Sequence, residues 1–373
     1  MYRTVRIMEG KDVVIGMNYA YWFANVPGLT NRTRLRISSA VSAEELFFLS
    51  EGSLAKLAGV TPEQAGRIAE SRARPVDAGY HAMCAQGISF VSLEDESYPK
   101  KLRQIPDPPY GIYVRGPLPE SGRPAVAVVG ARMCSEYGRH AASELGRKLA
   151  AYGICVVSGM ARGIDAAGHQ GAADADGITC AVLGCGVDIC YPKSNRELYG
   201  RILERGCVLS EYPPGTPPAA AHFPARNRII AGLSDMTVVV EARLRSGSLI
   251  TADCALEQGR DVYAVPGSIY DPLSAGCNDL IRQGAGMISD LDDFAAGIVS
   301  HGNDMCNKKE PEKILLEKEE RLVYSCVDLR PKSMEEILSE SGIKLRRLQQ
   351  ILSVLQQKGV IAEIFKNCYI RRN

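Results

Sequence analysis

The sequence predicts an α/β protein whose centre is a parallel sheet, on three observations. Short β-branched runs in its middle third are continuously apolar, as in Ala125-Val-Ala-Val-Val129 and Thr179-Cys-Ala-Val-Leu183. Strands of that kind are buried on both faces, whereas strands with one wet face alternate. Gly/Ala-rich helical runs separate them, the pattern of helices packed on both sides of one sheet. Finally, the chain after several of these runs is rich in Gly, Ser and Arg, as in Gly130-Ala-Arg132, and ligands of parallel sheets sit beyond the carboxyl ends of the strands.

Composition narrows the class. With 373 residues and 46% apolar content the chain can bury a large core. Lys and Arg total 44 against 43 Asp and Glu, a net charge of +1, so no global field draws in a polyanion and any such site is a local concentration of charge. No run of about 18 apolar residues occurs and the start lacks a leader pattern, which predicts a cytoplasmic protein with no membrane partner. The 12 cysteines form no C-x-x-C pair; Cys180, Cys185 and Cys190 lack ordinary zinc-ligand spacing, so reduced, mostly buried thiols and no metal are expected.

Residues 1–80 read as a helical domain containing a repeat. Gly28-Leu29-Thr30 is followed by Arg36-Ile37, and Gly59-Val60-Thr61 by Arg67-Ile68 at the same offsets. Each unit resembles a helix-hairpin-helix element, whose hairpin amides hold a phosphate. Thr replaces the usual second glycine, however, and a Thr there equally serves a purely structural module as a helix N-cap.

Residues 81–299 form the core domain, with strands expected at Ile88–Leu93, Gly111–Val114, Ala125–Val129, Ile154–Val157, Thr179–Leu183, Cys207–Ser210, Met236–Glu241 and Asp261–Val265. This is a Rossmann-like order of elements. A polar linker is expected over 300–312. Residues 313–373 then read as three helices, Ile314–Val327, Met334–Ser341 and Lys344–Lys358, followed by strands Val360–Phe365 and Cys368–Arg371, a winged helix-turn-helix. Lys344, Arg346 and Arg347 suit phosphate, while Glu335, Glu336 and Glu340 dilute that charge, so DNA contact and protein contact both remain open for this domain.

Five loops at strand ends carry the candidate site. Gly130 and Arg132 follow the first central strand, and Ser135 caps the next helix; a dinucleotide fingerprint would have glycines where Arg132 stands. Ser158 and Gly159 stand where a dinucleotide enzyme places an acid for the ribose, which removes the oxidoreductase reading; their turn offers an amide nest, with Arg162 beside it. Tyr191 and Lys193 put a ring beside a cation, a pairing suited to a base and its phosphate. Phe223-Pro-Ala-Arg-Asn-Arg228 places Arg226, Asn227 and Arg228 in a first helical turn, where two cations oppose the helix dipole by up to about 1 kcal/mol each. One arginine is expected to pair with Glu211 or Glu241 and the other to face a ligand. Ser246, Gly247 and Ser248 form a hydroxyl-rich turn into a further helix. No nucleophile, paired carboxylate or cofactor motif recurs among these loops, so binding without catalysis is expected.

The combination of Gly130-Ala-Arg132, Ser158-Gly-Met-Ala-Arg-Gly-Ile-Asp165, Tyr191-Pro-Lys193, Phe223-Pro-Ala-Arg-Asn-Arg228, Ser246-Gly-Ser-Leu-Ile-Thr251, Val265-Pro-Gly267 and Asn278-Asp-Leu-Ile281 strongly resembles the DNA-processing protein A (DprA/Smf) family. The resemblance is dense over about residues 80–295. It implies an extended Rossmann-like domain that binds single-stranded DNA without sequence preference, protects it and loads the RecA recombinase, as a homodimer, typically in natural transformation. The family's Gly-Ser-Arg loop maps onto Gly130, Ala131 and Arg132, and its Gly-Thr-Asn segment onto Gly276, Cys277 and Asn278, so two hydroxyls are missing. With about four cations on phosphate, the log-log salt slope of binding is expected near −3. The rival reading is a nucleotide or nucleoside-phosphate hydrolase on a related scaffold, but that scaffold's Pro-Gly-Gly-x-Gly-Thr loop has no match after Val265-Pro-Gly-Ser268. A winged-helix regulator sensing a nucleotide is the third.

Overall fold

The computed structural model describes residues 18–57, 59–74, 76–306, 318–327, 332–358, 360–365 and 367–371. The chain divides into two compact units, at His301 and Gly302. The helices before residue 80 belong to the first unit: Tyr21 packs against Phe90 and Tyr113 of its sheet, so the boundary expected near residue 80 does not separate a compact unit. The linker expected at 300–312 opens as helix instead, because helix Leu291–Cys306, started by Asp290 accepting from the Asp292 and Asp293 amides, meets no proline within its length; residues 307–312 lie outside the described residues.

Strands β1 (Ile88–Ser92), β2 (Gly111–Arg115), β3 (Ala125–Val129), β4 (Cys155–Ser158), β5 (Thr179–Leu183), β6 (Cys207–Ser210), β7 (Met236–Val239), β8 (Asp261–Ala264) and β9 (Gly286–Met287) form one sheet in the order β1-β2-β6-β5-β4-β3-β7-β8-β9. From β6 to β9 every pairing is parallel, while β1 and β2 extend the edge antiparallel. Residues of β3 alternate between two cores: Ala125, Ala127 and Val129 join one, Val126 and Val128 the other. That is the physical content of a continuous apolar run. The chain leaves β3 toward β4 and leaves β7 toward β8 on the other side, so β3 and β7 flank the switch point where such sheets hold ligands.

In the N-terminal repeat, Gly28 and Gly59 both adopt left-handed φ, +71° and +76°. Thr30 and Thr61 cap the helices that follow by accepting from Thr33 and Gln64 amides. Each unit's arginine lies over the other's turn: a Cβ on Gly28 would fall 1.5 Å from Arg67 Nη1, and one on Gly59 1.9 Å from Arg36 Nη1. The repeat is thus a reciprocal pair in which both threonines act as caps.

The second unit contains helices Lys318–Cys326, Met334–Ser341 and Leu345–Gln357, and a sheet of β10 (Lys332–Ser333), β11 (Ile361–Phe365) and β12 (Cys368–Arg371) in the order β10-β12-β11. Arg347 pairs with Glu319 at 2.8 Å, Lys332 with Glu340 at 2.7 Å and Lys358 with Glu320 at 2.6 Å. Arg347 therefore meets a carboxylate of its own unit at the position proposed for phosphate.

Beneath β4 and β5, His169 is fully buried with Nδ1 2.6 Å from Thr179 Oγ1. Thr179 gives its hydroxyl proton to the Val156 carbonyl at 2.8 Å, so Nδ1 is the donor of that bond. Burial, reinforced by the charge of Arg226, pushes the ring down from 6.5 to about 3. A folded-state value below the unfolded one stabilises the protein above pH 6.5 and withdraws that stability as the pH falls. The ring should make the first unit about 1.4 kcal/mol less stable at pH 5.5 than at pH 7.5. Urea titrations at the two pH values check this, with His169→Gln expected to flatten the dependence by that amount.

Candidate functional site

The carboxyl ends of β3, β4, β5 and β7 open on a cleft of about 580 Å³. Its walls include Gly130, Arg132, Asp165, Tyr191, Phe223, Arg226, Asn227 and the Ser246-Gly247-Ser248 turn. Five loops distant in sequence thus converge on one space. Phe223 stands at its centre: the Arg132 guanidinium lies over its ring at 5.4 Å, and the Tyr191 ring lies 5.5 Å away at 31°. Tyr191 is 41% exposed, so this pair offers an accessible aromatic face. Arg132 is exposed and has no carboxylate partner among the described residues; Lys193, two residues beyond Tyr191, is likewise exposed and unpaired.

On the opposite wall, Asn227 Nδ2 donates to the Gly247 carbonyl at 3.3 Å and the Ser246 and Ser248 hydroxyls share a 2.8 Å hydrogen bond. Helix Leu249–Glu257 follows without a side-chain cap. Arg162 faces a second groove, of about 830 Å³, that shares Arg132 with the first and is lined also by Arg139, His140 and Ser194.

Several residues expected to contact a ligand are held by the protein itself. Helix His222–Leu233 begins a turn earlier than the sequence signals, before Pro224, so Arg226 and Arg228 leave its first turn. Arg228 Nη2 donates to both carboxylate oxygens of Glu211, at 2.8 and 2.9 Å, and its Nε to Asp107 at 3.1 Å; these ion pairs raise its pKa despite burial. Arg226, 5% exposed, donates to the Gly159 carbonyl at 2.8 Å and to the Val182 carbonyl. Burial pushes it down to about 10, offset by Asp165, and it remains a cation at neutral pH. The arginine expected to face a ligand instead ties the ends of β4 and β5 together.

The anion positions are occupied in the same way. Ser135 caps helix Glu136–Ala151 through Gly138, but its own amide donates to Glu241 Oε2 at 2.9 Å and its hydroxyl to Oε1. The nest expected at Ser158-Gly159 holds Asp165, which accepts from the Ala161 amide at 3.4 Å; burial pushes that carboxyl up while Arg226 opposes the shift. Ser158 is buried, with its hydroxyl on the Val128 carbonyl at 2.5 Å. Asn278 clasps Gly267 through its amide and carbonyl at 3.2 and 3.1 Å. Cys277 points into the core, its Sγ 3.5 Å from the Val239 carbonyl, so a hydroxyl there would meet the strand. Asp165 is the residue sequence reasoning missed, because it lies within helix Ile164–Asp174, seven residues past β4, while Glu241, expected as an arginine's partner, instead takes the Ser135 amide and hydroxyl.

Among the described residues no group of three or more His, Cys, Asp or Glu side chains has a metal-binding arrangement, and no helix is long and apolar enough to cross a membrane. Removing Arg226 strands Asp165 and two carbonyls in a buried site, so Arg226→Ala should cost about 3–5 kcal/mol of stability, measured by chemical denaturation.

The family model for DNA recombination-mediator protein A matches residues 89–298. DNA processing protein DprA of Streptococcus pneumoniae is 40% identical over 282 residues, covering 75% of this chain and 97% of the relative. The X-ray structure of DNA processing protein A from that organism aligns with a TM-score of 0.66 at 38% identity, over 75% of this chain and 97% of the other. A structure of DNA processing protein A from Helicobacter pylori, solved for its single-stranded DNA binding mode, aligns with a TM-score of 0.52 at 29% identity, over 57% of this chain and 96% of the other.

Proposed function

The chain belongs to the DNA recombination-mediator protein A family, and from that premise we propose that it binds single-stranded DNA in the cleft between the ends of β3 and β7, without catalysing a reaction on it. The observation that carries the reading is Arg132, with no carboxylate partner among the described residues, lying over the Phe223 ring that the Tyr191 ring flanks. Stacking on a ring contributes about 1–3 kcal/mol per base and is blind to sequence, since every base has a π face. Lys193 and Arg132 take phosphates, and the Ser246-Gly247-Ser248 turn adds hydroxyls opposite them. The single-stranded DNA binding mode described for the Helicobacter pylori protein supports this choice of ligand.

Cellular use follows the family: protection of incoming single strands and loading of the RecA recombinase in the cytoplasm. A homodimer through the Rossmann-like domain doubles the site, which lets a chain of net charge +1 hold a polyanion by effective concentration. In the second unit, read as a winged helix, Arg347 is paired with Glu319 while Lys344 and Arg346 are exposed, so DNA contact and protein contact both suit it.

Because Arg226 and Arg228 are taken up inside the protein, about three cations remain for phosphate: Arg132, Arg162 and Lys193. Each contributes about −0.7, so the log-log salt slope for oligo-dT should be about −2. Arg132→Ala should lower oligo-dT affinity by about 1.5–3 kcal/mol with folding intact, the range for hydrogen bonds to charged groups. Fluorescence anisotropy across a salt series measures both quantities, and unchanged affinity in the variant would remove the proposed site.

A further inference from the structure

The position next to Arg132 that a Rossmann fold offers to pyrophosphate is filled. In such folds the phosphates lie at the N-terminus of the helix after the first central strand, where amides and dipole favour an anion. Here that helix is Glu136–Ala151, following β3, and the anion at its N-terminus is the Glu241 carboxylate, delivered from the end of the neighbouring strand β7. Oε2 accepts from the Ser135 amide at 2.9 Å and Oε1 from the Ser135 hydroxyl. Glu241 is wholly buried and has no Lys or Arg partner among the described residues, so amide, hydroxyl and helix dipole are what stabilise it. The helix is shaped for it: a Cβ on Gly138 would lie 2.2 Å from Glu241 Cδ, so the first turn admits the carboxylate only because residue 138 is glycine.

We propose that Glu241 sets the ligand class of the cleft: its carboxylate occupies the phosphate position of a free nucleotide or dinucleotide, closing the cleft to these and leaving it to an open polynucleotide strand. This rests on the single-stranded DNA reading above and deepens it. A pyrophosphate reaching the helix N-terminus would have to displace a buried carboxylate and would meet its negative charge at contact distance. A strand in the cleft needs neither, because Arg132, Lys193 and the rings lie outward of Glu241. Single-stranded DNA is therefore held without competition from the free nucleotides that share its chemistry.

Isothermal titration of inorganic pyrophosphate into the full chain, its Glu241→Ala variant and its Glu241→Gln variant tests the proposal, with oligo-dT affinity measured separately on each. The wild type should bind pyrophosphate only weakly, through the exposed Arg132 and Lys193. Glu241→Ala, which vacates the position, should gain at least about tenfold in pyrophosphate affinity, as expected of an exposed helix N-terminus. Glu241→Gln keeps the shape and removes the charge, and should show a smaller gain. Pyrophosphate binding by the wild type as tight as by either variant overturns the proposal, and so does a folded Glu241→Ala or Glu241→Gln with no gain. Should Glu241→Ala fail to fold, the wild type and Glu241→Gln decide it. Failure of the wild type to bind oligo-dT would instead refute the single-stranded DNA reading, since pyrophosphate binding is read without DNA.

Discussion

Arg226 is the contact on which the cleft depends. Its guanidinium reaches the carbonyls at Gly159 and Val182, the ends of two parallel strands, and faces the buried Asp165. Both residues lie one position beyond the last β4–β5 pair, Ser158 with Ala181, where that ladder ends. By satisfying their carbonyls from the side, Arg226 anchors helix His222–Leu233 across the strand ends. Phe223 and Asn227, on the same helix, are thereby held over the space that Arg132 and Tyr191 enter. The buried arginine thus fixes the wall of the cleft from within.

Internal anions have the complementary effect. Glu241 and Asp165 occupy the amide positions nearest the sheet, and Glu211 and Asp107 hold Arg228. Among the described residues, Arg132, Arg162 and Lys193 have no carboxylate partner and lie farther out, Arg132 over the half-buried Phe223 ring. Charge settled in the depth and left open at the rim suits a ligand that passes across the edge, with repeated phosphates and accessible bases, better than one that inserts its phosphates at a helix end.

The sheet was legible because burial on both faces leaves continuous apolar runs, and all eight strands expected in the core domain are present; β9, only Gly286–Met287, is too short to leave a pattern. The loops bearing the cleft were legible from their place after strands. The fate of individual side chains was not. Arg226 and Arg228 look alike in sequence, and only the helix beginning at His222 turns one under the strand ends and the other toward Glu211. Ser135 reads correctly as an N-cap, yet whether its amide is open depends on Glu241, 106 residues away. Long-range pairing of that kind carries no local signal.

With bases stacked in this cleft, Phe223 and Tyr191 would lie within reach of a photoreactive base. Photocrosslinking of a 5-iodouracil-substituted oligo-dT to the full chain, with the modified peptide sequenced, tests that stacking most directly. Adducts are expected at Tyr191 or Phe223 and should diminish in Arg132→Ala. Adducts confined to residues 318–371, with none in the cleft, would contradict the stacking.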